Sequence, residues 1–334
     1  MNSFTLACCS GCSASDRTRL FERPLHPYTL ALWSAAPLWT WWVSRPQPAR
    51  AAVELPGVTR EYLEGIARDT WRFFERCVTA GDNHLPPDNL QVQPLEAVAH
   101  RTSPTNIGLY LLSVACARQF GWIGTQDLLE RMDATLATLA RLQRHRGHFM
   151  NWYDTQTCAP LLPMYVSTVD SGNLTGHLLA VAQACLELAR APNDTAAMRR
   201  AIAASTRRLD GQAPAAGTGR PDGAIARLLA LSDPLSSCEQ DAEGFGRLLA
   251  QALQAFAALA PTEAASAAQA APTAADEAAW LLGDHLQTLH SAWRDAQARL
   301  PQATAGPHAA DRLRALAAAF DALAWQADFA FLHD

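Results

Sequence analysis

Past residue 58 the apolar positions recur every three or four residues, and the chain predicts one helix after another. Between Thr59 and Val78 the stripe runs Tyr62, Leu63, Ile66, Ala67, Thr70, Phe73, Phe74, Cys77 and Val78, one face of a long helix. A second helix is expected from Ser103-Pro104, with Ser as N-cap and Pro in the first turn, to Phe120, where Gly121 stops it. Thr125 is the expected cap of a third. Asp127 sits in its first turn, Leu128, Met132, Leu136, Leu139 and Leu142 face inward, and Arg141, Arg144 and Gly147 close it. A fourth runs from about Ser171 through Leu174, Leu178, Val181 and Cys185 to Leu188.

The connections between these helices alternate in length. Roughly 25 residues lie between helices one and two and again between three and four, whereas GWIG and APN suffice elsewhere. Connectors longer than about 12–15 residues inside a compact domain usually carry function. In successive antiparallel hairpins every other connection falls at the same end, so both long loops are expected on one rim. The fold class predicted is all-α, a partial α/α toroid holding its first helical hairpins, with an Ala-rich helical extension.

That extension, 193–334, follows the hairpin region 55–192 and is broken at DGQAPAAGTGRPDG and PTEAASAAQAAPTAAD. Helices are expected there around 239–260, 276–299 and 308–331, with Trp280, Trp293, Phe320 and Trp325 as packing anchors. No repeat unit marks a solenoid.

A hydrophobic fraction of 49% with 18% charged residues is a globular composition. The net charge of −5 offers no basic footprint, which excludes nucleic acid as the main partner. All 27 basic residues are Arg, a mark of a GC-rich genome rather than of function. Cys77, Cys116, Cys158, Cys185 and Cys238 stand singly, as reduced thiols do. The CCSGC cluster at Cys8, Cys9 and Cys12 lacks further ligands nearby and falls in an unmatched leader, 1–28, without a secretory pattern. Residues 29–46 hold Trp33, Trp39, Trp41 and Trp42 ahead of Arg45-Pro46, although Pro27 and Pro37 interrupt the run. Clustered Trp followed by Arg suits the interfacial end of a membrane segment, so the remnant of a transmembrane helix is expected, against an apolar arm packed on the domain.

Candidate chemistry collects on the two long loops. HLPPDNLQ and HRTSPTN offer Asp88, Asn89, Arg101, Thr102 and Asn106; NWYD offers Asn151, Trp152, Tyr153 and Asp154; VSTVDSGN offers Asp170, Ser171 and Asn173. Vicinal sugar hydroxyls suit Asp, Asn and Arg, which bond in pairs, and the C–H face of a pyranose suits an indole or phenol ring. Each residue also has a structural reading. Asp170 and Ser171 can cap helix four, Trp152 and Tyr153 can anchor a loop, and Arg101 can bridge to Asp88. Their joint placement on one rim favours a carbohydrate site. His145 and His148 form HxxH at a helix end with no acidic partner in register, so no metal site is assigned. There is no phosphate-binding glycine loop and no nucleophile elbow. Glycoside chemistry needs two carboxylates, for which Asp154 and Asp170 are candidates by position.

The segments HRTSPTNIGLYLLS, FGWIGTQDLLERMDATLATLARLQRHRGHF, NWYDT and YVSTVDSGNLTGHLLA closely resemble the large bacterial cyclic β-1,2-glucan synthases. The likeness spans about residues 30–190, with DTWRFFE and NHLPPDN, and returns in ADFAFLHD. It falls on the glycoamylase-like region of that family. The resemblance implies an (α/α)6 toroid that binds β-1,2-linked glucan and cyclises it by transglycosylation. The family makes the glucan from UDP-glucose in another domain, so no cofactor is implied here. It sits in the bacterial inner membrane with this region on the cytoplasmic side. The substrate contacts implied are Asp88, Arg101, Thr102, Asn106, Asn151, Trp152, Tyr153, Asp154 and Asn173, with Asp170 nearest the reacting sugar. Met150 stands where an aromatic residue is more usual. The remaining half of the toroid, with the main acid/base glutamates, is expected outside this sequence.

The resulting expectation is a fragment of such a synthase, inactive alone, with β-1,2-glucan, the inner membrane and a chain carrying the missing half as partners. Two rivals are a small β-1,2-glucan hydrolase using Asp154 and Asp170, and a non-catalytic helical interaction module.

Overall fold

The computed structural model describes residues 27–45, 55–191, 194–210, 230, 232–235, 242–259, 274–299 and 308–330. The chain divides into two compact units, Met1–Pro56 and Gly57–Asp334.

The first unit holds helix α1, Pro27–Val43. Pro27 opens it, where no N–H is needed, and the helix continues through Pro37 rather than breaking. The Thr40 hydroxyl donates to Ala36 O at 2.9 Å and Pro37 O at 3.0 Å in the turn that follows. No described helix is long and apolar enough to cross a membrane, so no full span is described at 29–46, the segment read as a transmembrane remnant. The CCSGC cluster lies outside the described residues.

The second unit is all-α, with short two-residue strands confined to its long loops. In order it contains α2 (Gly57–Cys77), a 3-10 turn (Ala80–Asp82), β1 (Leu90–Gln91), β2 (Ala97–Val98), β3 (Arg101–Thr102), α3 (Pro104–Phe120) and α4 (Thr125–Leu139). Then come β4 (Arg144–His145), β5 (His148–Phe149), β6 (Tyr153–Asp154), α5 (Thr168–Leu188), α6 (Ala196–Asp210), α7 (Ala242–Leu259), α8 (Ala274–Gln297) and α9 (Ala309–Ala324). The strands pair as antiparallel couples: β1 with β2, β3 with β6, β4 with β5.

Two cores form. The first joins Trp71, Tyr110, Leu111, Leu128, Met132 and Leu178 to Leu316 and Phe320 of α9. The second is built by Met198, Ile202, Phe245, Leu249, Leu281 and Leu289, from α6, α7 and α8. The boundary drawn at 192 therefore does not divide the packing. The last helix of the Ala-rich stretch completes the first core, and 57–334 is one unit. Trp280 and Trp293 pack on the second core and Phe320 is sealed in the first, but Trp325, beyond the end of α9, is 70% exposed and anchors nothing.

Local differences from the sequence reading have physical causes. The α2 stripe is covered only in its second half. Trp71 is buried and Phe74 meets Tyr110 at 5.4 Å, whereas Tyr62, Leu63 and Ile66 stay exposed beside a polar cavity. Ser103 caps α3 as expected, accepting from Asn106 N. Thr125 does not cap α4. Its hydroxyl accepts from Arg118, and the cap comes in trans from α8. Asp295 accepts from the N–H groups of Thr125 and Gln126 at 2.8 Å each, and the Ser291 hydroxyl accepts from Gly124 N at 2.7 Å. A Cβ on Gly124 would lie 2.6 Å from Asp295 Oδ1, so only glycine admits this cap. Arg144 and Gly147 do not end α4. They belong to the β4–β5 hairpin, whose turn places Arg146 at φ 49° and Gly147 at φ 82°. A Cβ on Gly147 would meet Gln326 O at 1.8 Å. Helix α5 starts three residues earlier than read, because Ser167, not Ser171, accepts from Asp170 N.

Candidate functional site

The two long loops meet. Strand β3, just before α3, pairs with β6 in the other connector, setting Arg101 opposite Asp154 and Thr102 opposite Tyr153. Beneath the pair, Asp82 ties both loops together. Its Oδ1 accepts from the Thr155 hydroxyl at 2.7 Å and meets His100 Nδ1 at 2.7 Å, and Asn83 Nδ2 donates to Thr155 O and Gln156 O. The common rim expected from alternating connector lengths is therefore held by backbone ladder and buried carboxylate alike.

On this frame Arg101 donates to Asp88 Oδ2 from Nε (3.1 Å) and from Nη2 (2.9 Å). Asn106 Nδ2 lies 3.4 Å from the other oxygen of Asp88. The Arg101 guanidinium lies over the half-buried Trp152 indole, 5.1 Å from its centroid. The structural bridge and the site reading are thus the same contact. Arg101 is exposed, so the cation and the flat indole stand together at the surface.

A second group sits at the N-termini of α3 and α5. The Thr105 hydroxyl donates to Asp170 Oδ1 at 2.6 Å and accepts from Asn173 Nδ2 at 3.2 Å. Among the described residues nothing donates to Asp170 Oδ2. Thr105 was not singled out from the sequence. Its only visible signal was its place beside Asn106 in the first turn of α3, on the face that meets α5.

Four of the expected contacts turn inward or are already engaged. Tyr153 is wholly buried. Its hydroxyl donates to Gln143 O and accepts from Met150 N, both at 2.6 Å, and burial pushes its pKa up to about 12. Thr102 is also fully buried. Neither side chain presents surface to a ligand, because β3 and β6 turn that face of the ladder into the core. Asn151 is 4% exposed and holds the 151–165 crossing, donating from its backbone to Tyr165 O and accepting Tyr165 N at Oδ1. Asp154 Oδ1 accepts from Thr157 N (2.7 Å), the Thr157 hydroxyl (2.9 Å) and Gln156 N (3.0 Å). The Thr157 N–H, with burial opposing it, holds the Asp154 pKa below the usual range. Asp88, Arg101, Asn106, Trp152, Asp170 and Asn173 remain at or near the surface.

His148, read as half of an HxxH pair, is buried instead. Its Nδ1 meets Ser171 Oγ and its Nε2 meets Asp328 O, both at 2.9 Å. It pins the residues after α9 against the first turn of α5.

The class of protein so defined is an all-α scaffold whose paired long connectors build a polar, aromatic rim. No family profile matches the chain. Over 167 residues, half of its length, it is 49% identical to the cyclic beta-(1,2)-glucan synthase NdvB of Rhizobium meliloti (strain 1021). The resemblance read from the motifs is therefore present as extended identity. The match spans 6% of that relative, so the chain corresponds to a small part of its length. Among solved structures, a glucoamylase-like protein from Bacteroides fragilis NCTC 9343 aligns at 18% identity and a TM-score of 0.33, covering 41% of this chain and 33% of that one. At that score the likeness carries no argument.

Proposed function

We propose that this chain is a piece of the glucan-handling helical region of a cyclic β-1,2-glucan synthase, the first hairpins of an α/α toroid, and that its rim binds β-1,2-linked glucan. The observation that carries the reading is the joining of Arg101, Trp152 and Asp88 by the β3–β6 pair, in a chain 49% identical to that synthase over 167 residues. Trp152 supplies a flat apolar face for a pyranose ring. Arg101, Asn106, Asp170 and Asn173 supply donors and acceptors for hydroxyl pairs. Titration of linear β-1,2-glucan into the purified chain, followed by tryptophan fluorescence and calorimetry, is expected to show weak binding that β-1,4-glucan does not reproduce. Trp152→Ala and Arg101→Ala are each expected to weaken it at least tenfold. Equal affinity for both glucans, or unchanged affinity in both variants, refutes the reading.

The chain alone is expected to release no cyclic product from linear β-1,2-glucan, and cyclisation by the purified chain overturns that part. Hydrolysis by an Asp154–Asp170 pair is disfavoured. Three donors already engage Asp154 Oδ1 and keep that carboxyl ionised, so it could not be the general acid and its Oδ1 is not open to a water or sugar carbon. Association with another chain is supported by a separate observation, the exposure of Val58, Tyr62, Leu63 and Ile66 on α2. Light scattering that finds a monomer at all concentrations removes that partner.

A further inference from the structure

At the end of α3 away from the rim lies a cavity of about 670 Å³, walled by the first half of α2, the end of α3, and α6 and α8. Helix α3 has 17 residues, so at about 1.5 Å per residue the cavity is roughly 25 Å from Thr105 and cannot share a small ligand with the rim. Five arginines line it against three carboxylates, on a chain whose net charge is −5. Arg207 pairs with Glu61 at 3.2 Å, while Arg60 and Arg200 make no ion pair among the described residues.

Deeper in, Arg68 is 5% exposed and binds the buried Asp284, from Nε at 2.8 Å and also through Nη2. Arg208 approaches the same carboxylate at 4.0 Å and reaches Asp69 at 2.8 Å. Each of these two guanidinium groups keeps one buried nitrogen, Nη1, with no acceptor. An unsatisfied donor in so dry a place costs on the order of 1–3 kcal/mol. Glu75 lies 3.8 Å from Arg68 as well, so the inner charges are matched. The two Nη1 donors and the guanidiniums of Arg60 and Arg200 are nevertheless left without an acceptor or ion pair among the described residues. Arg208 is 28% exposed along its side chain, so it can turn toward the cavity and uncover the inner donors. The wall also carries Phe120 and Trp122, stacked with centroids 4.5 Å apart and 9° between planes. Gly57 opens α2 there, and no acidic residue stands in that first turn.

We propose that this cavity binds a phosphoryl group carried on a small, flat organic body. The arginines Arg60, Arg68, Arg200 and Arg208 take the oxyanion, whose planar fork geometry they match, and the Phe120–Trp122 stack takes the body. The site is independent of glucan binding at the rim.

The test titrates inorganic phosphate, phenyl phosphate and chloride at matched ionic strength into the full chain, read by thermal shift and calorimetry. Phosphate is expected to bind where chloride does not, and phenyl phosphate at least tenfold more tightly than phosphate. Arg200→Gln, an exposed change that leaves folding intact by circular dichroism, is expected to weaken both at least fivefold, and Arg60→Gln likewise. Arg312→Gln, remote on α9, leaves both unchanged. A phosphate response no larger than that of chloride overturns the site. So does equal weakening by Arg312→Gln, or no weakening by Arg200→Gln and Arg60→Gln together. Equal affinity for the two phosphates overturns the aromatic half of the assignment.

Discussion

The rim and the Ala-rich helices treat polar groups in opposite ways. In the second core Asp284, His285, Ser291 and Asp295 are 0–5% exposed and turned into structure. Asp284 gathers Arg68 and Arg72, His285 bridges Ser205 and Ser232, and Ser291 and Asp295 cap α4. At the rim the network stops short. Asp170 keeps an oxygen without a donor among the described residues, Arg101 lies open above Trp152, and Asn173 is exposed. Closed networks hold elements together. Open ones at the end of a rigid scaffold leave valences for a ligand. The contrast separates carboxylates and hydroxyls that fold this protein from those left open at the rim, while Arg68 and Arg208 beside Asp284 keep an unbonded nitrogen each among the described residues.

The largest expected effect falls on the closed side. Burial works against the ionised Asp284, yet the nearby guanidiniums of Arg68, Arg72 and Arg208 bring its pKa below the ordinary value. Asp284→Ala strands those cations, and urea denaturation is expected to show a loss of about 3–5 kcal/mol. Full retention of stability would place the network outside the fold's needs.

Next comes acidification. Burial lowers the His285 pKa from 6.5 to about 4, with Asp284 opposing it. The unfolded chain takes its proton near 6.5, the folded chain only near 4. Stability from the neutral ring is present above 6.5 and is lost as pH falls toward 4, by an amount on the order of 3 kcal/mol. His285→Gln is expected to flatten the denaturation midpoint across that window, and an unchanged slope contradicts the assignment.

Tyr153→Phe tests whether the tyrosine of NWYD belongs with the closed set. Removing its hydroxyl leaves Met150 N and Gln143 O without their partner, for an expected loss of about 1–3 kcal/mol. Arg101→Ala, on the open side, is expected to move stability by less than about 1 kcal/mol, since the ion pair with Asp88 is half exposed. Its effect should appear in glucan affinity instead. A larger stability loss there than in Tyr153→Phe would erase the distinction between the two regions.

Helix positions were legible because they rest on local rules. Ser103-Pro104, Gly121 and the Leu128–Met132–Leu139 spacing each mark a boundary or face that neighbours in sequence determine. The common rim was also legible, since alternating connector lengths constrain which ends meet. Within the site, residue type and loop membership were visible, but direction was not. Tyr153 and Trp152 are adjacent and similar in chemistry, yet Tyr153 enters β6 and is buried while Trp152, just before the strand, stays half exposed. The cap of α4 was misread for a related reason. Thr125 has the right chemistry locally, and Asp295, 170 residues away, reaches its N–H first.

By itself the chain determines where most helices begin and end, which loops are long, and which family its motifs resemble. These follow from periodicity, capping chemistry and identity between near neighbours. Only the tertiary structure decides that α9 completes the first core, that Asp284 gathers arginines from α2 and α6, and that Thr105 joins Asp170. Those choices depend on pairing across more than 60 residues, and burial makes the pairing obligatory without writing the partner into either segment.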